Sequence, residues 1–255
     1  MTGRYLLLGM IAGLIAGVLA FGMGKVWGEP PIAAAIAIEE AGAAEAAPAG
    51  HSHGTATVAH SHGDEGEGIS RDTQAGIGLL TGMAVFGAGL GGLFALVFAF
   101  VQGRVSHLSA QATAAILAGL GYVAVVLVPF LKYPPNPPAV GHGETIGLRT
   151  QLFFVMLALS LVAMAISVAI ARNGKDRWQS GTLGGLAYLA LVVVAGYALP
   201  TINEVPAGFP GDLLWQFRSV SLVIQAVLWA GIGLIFGQLV QRIMVGTPAL
   251  RRQSA

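Results

Sequence analysis

The sequence predicts an all-α polytopic membrane protein with about six transmembrane helices. Three observations predict it. Apolar residues make up 55% of the 255 and charged residues only 10%, against about 25% charged in an ordinary soluble domain. There are 37 glycines, and glycine is more frequent in membrane helices than in soluble ones. Apolar runs of about 20 residues, the length that crosses a bilayer, recur six times along the chain. The chain has no cysteine, which excludes disulfides and thiolate metal sites. Any metal is left to His, carboxylate, Met or backbone oxygen.

The first apolar run, residues 5–24, exceeds the 7–15-residue core of a signal peptide, so an uncleaved helix is expected. It carries Gly9, Gly13 and Gly17 at four-residue spacing, a pattern that lets helix backbones approach in lipid. The second run, 75–101, repeats the spacing in Gly78 with Gly82 and Gly87 with Gly91. The third is 110–131, the fourth 152–171 and the fifth 181–200. The sixth, 222–244, carries Gly233 and Gly237. The second and sixth are long enough to tilt or to extend beyond the bilayer. No ionisable residue falls in the middle of a run, so a relay of buried carboxylates has no members there. The polar candidates inside the runs are weak ones such as Thr81, Gln111, Ser160 and Ser167, and Met83, Met156 and Met164 are read as packing residues. The whole chain, 1–255, reads as one integral-membrane domain.

Charge sets the orientation. With the N-terminus in the cytoplasm, six spans return the C-terminus there. Arg4, Arg104, Arg172, Lys175, Arg177, Arg242, Arg251 and Arg252 then lie inside with one acid, Asp176. Lys25, Arg71, Lys132, Arg149 and Arg218 lie outside with the other eleven acids. This obeys the positive-inside rule. The expected location is the inner membrane of a bacterial cell.

Residues 27–74 then form an external loop, expected to be flexible because its Ala, Gly, Glu and His content offers no core. Within it "HSHGTATVAHSHG" holds His51, His53, His60 and His62. Imidazoles two residues apart on a mobile chain converge on one ion. With the carboxylates Glu39, Glu40, Asp64, Glu65 and Glu67 nearby they suit Zn²⁺, Ni²⁺, Co²⁺ or Cu²⁺. Such a segment collects metal rather than forming a rigid site. The plainer alternative is a solvated spacer.

An acid precedes an arginine before each even-numbered helix: Glu67 and Arg71, Glu144 and Arg149, Asp212 and Arg218. One reading is a repeat of three helical hairpins, 1–2, 3–4 and 5–6, each with a charge pair at an ion entrance. The other is three independent interfacial pairs. The stretch "YPPNPPAVGHGE" is stiffened by its prolines, which fix the backbone and remove amide donors. It presents Asn136, His142 and Glu144 as O and N ligands at the membrane mouth. Non-helical backbone is tolerated there when it lines a polar cavity. The alternative is a rigid connector.

The string Tyr-Pro-Pro-Asn-Pro-Pro-Ala-Val-Gly resembles the CbtA-type family of predicted cobalt transporter proteins. So do "PPIAAAIAIEE", "ISRDTQAGIGLL", "DLLWQFRSVS" and the external His-rich loop. The resemblance covers essentially the whole chain. It implies a cobalt-uptake membrane protein linked to cobalamin synthesis, working with a small one-span partner of the CbtB type that carries its own histidine motif. The expected partners are that small protein and the lipid bilayer, with no nucleic acid. The transported ion is Co²⁺, with Ni²⁺ or Zn²⁺ as alternatives, and no tightly bound cofactor is expected. A phosphate-binding loop is absent, since "NGKDR" lacks the upstream glycine and the Ser or Thr such a loop needs, and no HExxH occurs. The chain therefore reads as a permease component rather than an enzyme. The competing reading is a non-transporting scaffold or sensor that buffers metal for a partner.

Overall fold

Six helices long and apolar enough to cross a membrane build the computed structural model, which describes residues 2–46 and 69–252. They are α1 (Thr2–Ala44), α2 (Arg71–Val101), α3 (Ala110–Lys132), α4 (Gly143–Asn173), α5 (Arg177–Ala198) and α6 (Gly211–Met244). In lipid a helix is the open-chain solution that satisfies every backbone polar group within one segment. Each of the six apolar runs becomes a helix. Several helices start before the apolar run does, and side chains cap three of the N-termini. Ser70 Oγ accepts from the Thr73 amide, Ser109 Oγ from that of Ala112, and Asp176 from those of Trp178 and Gln179.

The largest departure from expectation is in α1. Residues 29–46, expected in a flexible loop, are helical and continue α1. Over its 43 residues α1 would be about 65 Å long, roughly twice a bilayer's hydrocarbon core. The composition that cannot build a core of its own is rich in Ala and Glu, which are strong helix formers. A helix extending from an existing span also needs no new nucleus.

Three helices contain a widened π turn: Gly24–Gly28 in α1, Gln74–Gly78 in α2 and Tyr122–Leu127 in α3. Two have a visible cause. Pro30 and Pro31 follow the first, and Pro129 follows the third. A proline ring crowds the carbonyl four residues back and offers it no N–H. Widening the preceding turn relieves that conflict. The turn in α2 has no proline near it.

Four helices, α1, α2, α3 and α6, form one body. α1 and α2 touch backbone to backbone. A Cβ on Gly9 would collide with the Gly91 carbonyl, on Gly13 with that of Gly87, and on Gly17 with that of Met83. α6 lies across α1 and α3, with Gly231 against Ala16 and with Gly233 and Gly237 against Ala118 and Ala114. Phe98, Phe94 and Phe236 lock α2 to α6 edge to face, at 4.9 and 5.5 Å between ring centroids. The expected Gly82 contact does not form, since a Cβ there would meet nothing.

The second body is the α4–α5 pair. Met156, Ser160, Ala163 and Ser167 of α4 face Ser180, Gly184 and Tyr188 of α5. α4 meets α3 along the C-terminal part of α3, where Val128 and Tyr133 join Met156 and Tyr188 in one cluster. Three hairpins of one plan are therefore not what the packing shows. Among the described residues α5 pairs with α4 rather than with α6, because the small residues of α6 are turned to α1 and α3.

Candidate functional site

Both proline-rich loops, 133–142 between α3 and α4 and 199–210 between α5 and α6, lie at the same end of the molecule. The C-terminal part of α1 lies there too. Prolines remove amides from these loops, so side chains tie them together. Tyr133 donates its hydroxyl to the Pro200 carbonyl at 2.7 Å. Pro137 and Val140 are buried.

At the junction sits Glu204, whose side chain is only 4% exposed. Arg149 Nη1 from α4 donates to Oε2, and the Thr145 hydroxyl donates to Oε1. Asn136 Nδ2 stands 3.5 Å from Oε2. Asn136 also accepts from Arg218 Nη2 of α6 at 3.0 Å through Oδ1. Arg218 Nε reaches the Pro135 carbonyl at 3.4 Å. One buried carboxylate, two guanidiniums, an amide and a hydroxyl thus join both loops to the starts of α4 and α6.

Gly141 closes over this group. Its φ of +118° is a region that L side chains rarely adopt. A Cβ there would stand 3.0 Å from Arg149 Nη1 and 3.3 Å from Glu204 Oε2. The positive φ, with this close approach added, favours glycine here. Ala139, two residues earlier, also has positive φ, +64°, so the tip of this loop is held in a costly conformation. Beside it opens a cleft of about 690 Å³, walled by residues 138–141 and 206–209 and by Ile38, Glu39 and Gly42 of α1.

The three arginines expected at this end are there, but they face different partners. Arg149 pairs with Glu204, not with Glu144, which is exposed. A residue five positions along a helix is not on the same face, whereas the returning α5–α6 loop brings Glu204 directly onto Arg149. Arg71 pairs with Glu29 of α1 at 2.5 Å, and Glu67 lies outside the described residues. Arg218 binds Asn136 and the Pro135 carbonyl, while Asp212 is exposed. Glu39 lines the cleft and Glu40 is exposed beside it. His142 is exposed, with its carbonyl accepting from the Thr145 amide at 3.2 Å. His51, His53, His60 and His62 lie outside the described residues. Among the described residues no three of His, Asp and Glu gather as a metal cluster.

Glu204 and Thr145 are the members that sequence reasoning missed. The signal was present in "LPTINEVPAGFPG", where Glu204 is the one acid in a second proline-rich turn. A family model described as probable cobalt transporter subunit (CbtA) matches residues 2–241. No curated protein and no solved structure matches the chain.

Proposed function

The chain belongs to the CbtA family of probable cobalt transporter subunits, and from that premise we propose that it carries Co²⁺ inward from the end that bears the two proline-rich loops. Both termini are then cytoplasmic and the loops face outward in the inner membrane of a bacterial cell, which agrees with the excess of Lys and Arg at the opposite end. His51, His53, His60 and His62 collect the ion ahead of the cleft. Glu39, His142 and Glu144 are exposed carboxylates and an imidazole along its approach. The partner is a small one-span protein of the CbtB type, and the imported metal serves cobalamin synthesis. No catalytic step is assigned to the chain.

One observation carries this reading. A carboxylate buried to 4% exposure sits at the mouth of an otherwise apolar bundle, with its charge met by an arginine at the membrane edge. Burying a charge is expensive unless it is paired and hydrogen-bonded, so a carboxylate kept at this mouth is a candidate for meeting the cation. A cation path needs a site that attracts the ion yet lets it leave, and an arginine beside the acid sets that balance.

The test is uptake of radioactive cobalt by cells with and without the gene, its partner genes being present in both. Uptake that requires the chain supports a permease component. Cobalt bound at the surface with no gain inside the cell would instead favour the metal-buffering scaffold. Within the same assay Glu204→Gln is expected to abolish uptake at wild-type levels of inserted protein.

A further inference from the structure

Five polar or charged residues are buried among the described residues: Thr113, Ser160, Ser167, Ser180 and Glu204. Their distribution is uneven. Thr113 belongs to the four-helix body, and its hydroxyl is engaged with Ser106 at 2.8 Å near the start of α3. The rest of that body's buried core is Ala, Leu, Ile, Val, Phe and Trp, and the cavity of about 320 Å³ between its α3 and α6 is walled by Ala, Gly, Leu, Trp and Tyr122, whose hydroxyl is engaged with the Leu222 carbonyl. The other four lie along the α4–α5 seam or at its mouth.

The seam is ordered along the membrane normal. Arg149, Met156, Ser160 and Ser167 fall at seven-, four- and seven-residue steps, which keeps them on one face of α4. Arg149 and Glu204 stand at one end. Ser160 is the fifteenth of the 28 residues of the α-helix Ile146–Asn173, so it lies at mid-span. There its hydroxyl shares a 2.9 Å hydrogen bond with the hydroxyl of Tyr188 from α5. Met156, 2% exposed, lies one turn nearer the mouth and belongs to the same cluster as Tyr188. Ser167 donates its hydroxyl to the Ala163 carbonyl at 2.7 Å.

We propose that the cation crosses along the α4–α5 seam, with the Ser160 and Tyr188 hydroxyls and the Met156 sulfur as its mid-span way station, while the four-helix body is a dry scaffold. This rests on the transport reading above and says which helices do the carrying. The ligands are neutral and weak, which suits passage of a divalent transition-metal ion rather than retention. Transport sites near the bilayer midplane between helix pairs follow the same logic. Hydroxyls serve packing as well, so the test must separate contact with the ion from packing.

The absence of cysteine from the chain makes that separation direct. Ser160→Cys, Ser167→Cys and, in the body, Thr113→Cys are introduced singly into the full chain, expressed with its partner genes. Each is treated with a small cationic thiol reagent and compared with its own untreated cobalt uptake. The cysteine-free wild type shows whether the reagent acts elsewhere in the cell. In the seam variants uptake should fall roughly tenfold, as when a bulky cation fills a narrow path, and excess Co²⁺ during treatment should prevent the loss. Thr113→Cys should be unaffected. Seam variants that keep their uptake in the reagent, or a block confined to Thr113→Cys, would overturn the path. So would a block that Co²⁺ does not prevent, since that is the behaviour of a packing position. If Ser160→Cys does not insert, Ser167→Cys carries the same test. No uptake by the wild type defeats the transport reading itself, a result distinct from all of these.

Discussion

Replacing Arg149 with alanine should be among the most destabilising changes of a charged residue in this chain. The Glu204 side chain is 4% exposed and that of Arg149 28%. The acid is the deeper partner, so removing the arginine leaves a buried charge with only the Thr145 hydroxyl and the Asn136 amide beside it. Breaking a buried pair in this direction costs about 3–5 kcal/mol, and the partial exposure of Arg149 sets the loss at the lower end, about 3 kcal/mol. Glu204→Gln runs the other way. Thr145 and Asn136 keep a partner, and the arginine left behind can turn toward water, so the loss is about 1–2 kcal/mol. Arg71→Ala is the internal reference. Its pair with Glu29 is 43% and 16% exposed, and such a pair contributes about 0.5 kcal/mol. Reversible unfolding in mixed micelles of rising denaturing-detergent content would rank the three. The expected order of loss is Arg149→Ala, then Glu204→Gln, then Arg71→Ala. An Arg149→Ala protein no less stable than Arg71→Ala would refute the burial argument, because the two pairs would then be energetically alike.

Gly141→Ala should cost about 2 kcal/mol through its positive φ alone, and more because the new methyl meets Arg149 and Glu204. The steric part should disappear in an Arg149→Ala background, which a double-mutant cycle reads as non-additivity. Joint replacement of His51, His53, His60 and His62 by Ala should raise the external cobalt concentration for half-maximal uptake and leave the maximal rate mostly intact. A peptide of this segment should bind Co²⁺ in calorimetry, and equal heats from the Ala peptide would sink the collecting role. A phosphatase that is active only in the periplasm, fused to the C-terminus, should be inactive. Activity there would place the C-terminus outside.

Helices were the legible part of the fold, and the reason is physical. Lipid demands that each apolar run satisfy its own backbone, so residues 110–131 had little choice but to be α3. The close approach of α1 was legible too: Gly9, Gly13 and Gly17 come against Gly91, Gly87 and Met83, as their spacing allows, whereas Gly82 meets nothing. What periodicity does not carry is which helices are neighbours. An acid and an arginine close in sequence suggested Glu144 with Arg149. The partner is Glu204, 55 residues on, and only the return of the α5–α6 loop makes it one. The helical stretch 29–46 was hidden for a different reason. Its Ala- and Glu-rich composition argues against a core and for a helix at once, and attachment to α1 decides between them.

The position of the Glu204 group explains why a single ion pair should matter so much here. α5 has the least of its apolar stretch buried within the protein of all six helices, and among the described residues it packs chiefly on α4. The α4–α5 pair is therefore held to the four-helix body at few places. One is the C-terminal part of α3, through Val128 and Tyr133. Another is the far end, where Arg172 Nη2 donates to the Arg104 carbonyl at 3.1 Å. The third is the junction, where Glu204 takes Arg149 from α4 and Asn136 relays to Arg218 on α6. Lipid covers the outer face of α5 at no cost in apolar contact, but it cannot replace a carboxylate's partners. Loosening the junction thus removes one of the few ties seen among the described residues between the two bodies. A change of about 3 kcal/mol there acts on the position of a whole helix pair. The same change inside the glycine-locked α1–α2 interface would be shared among many close contacts and move little.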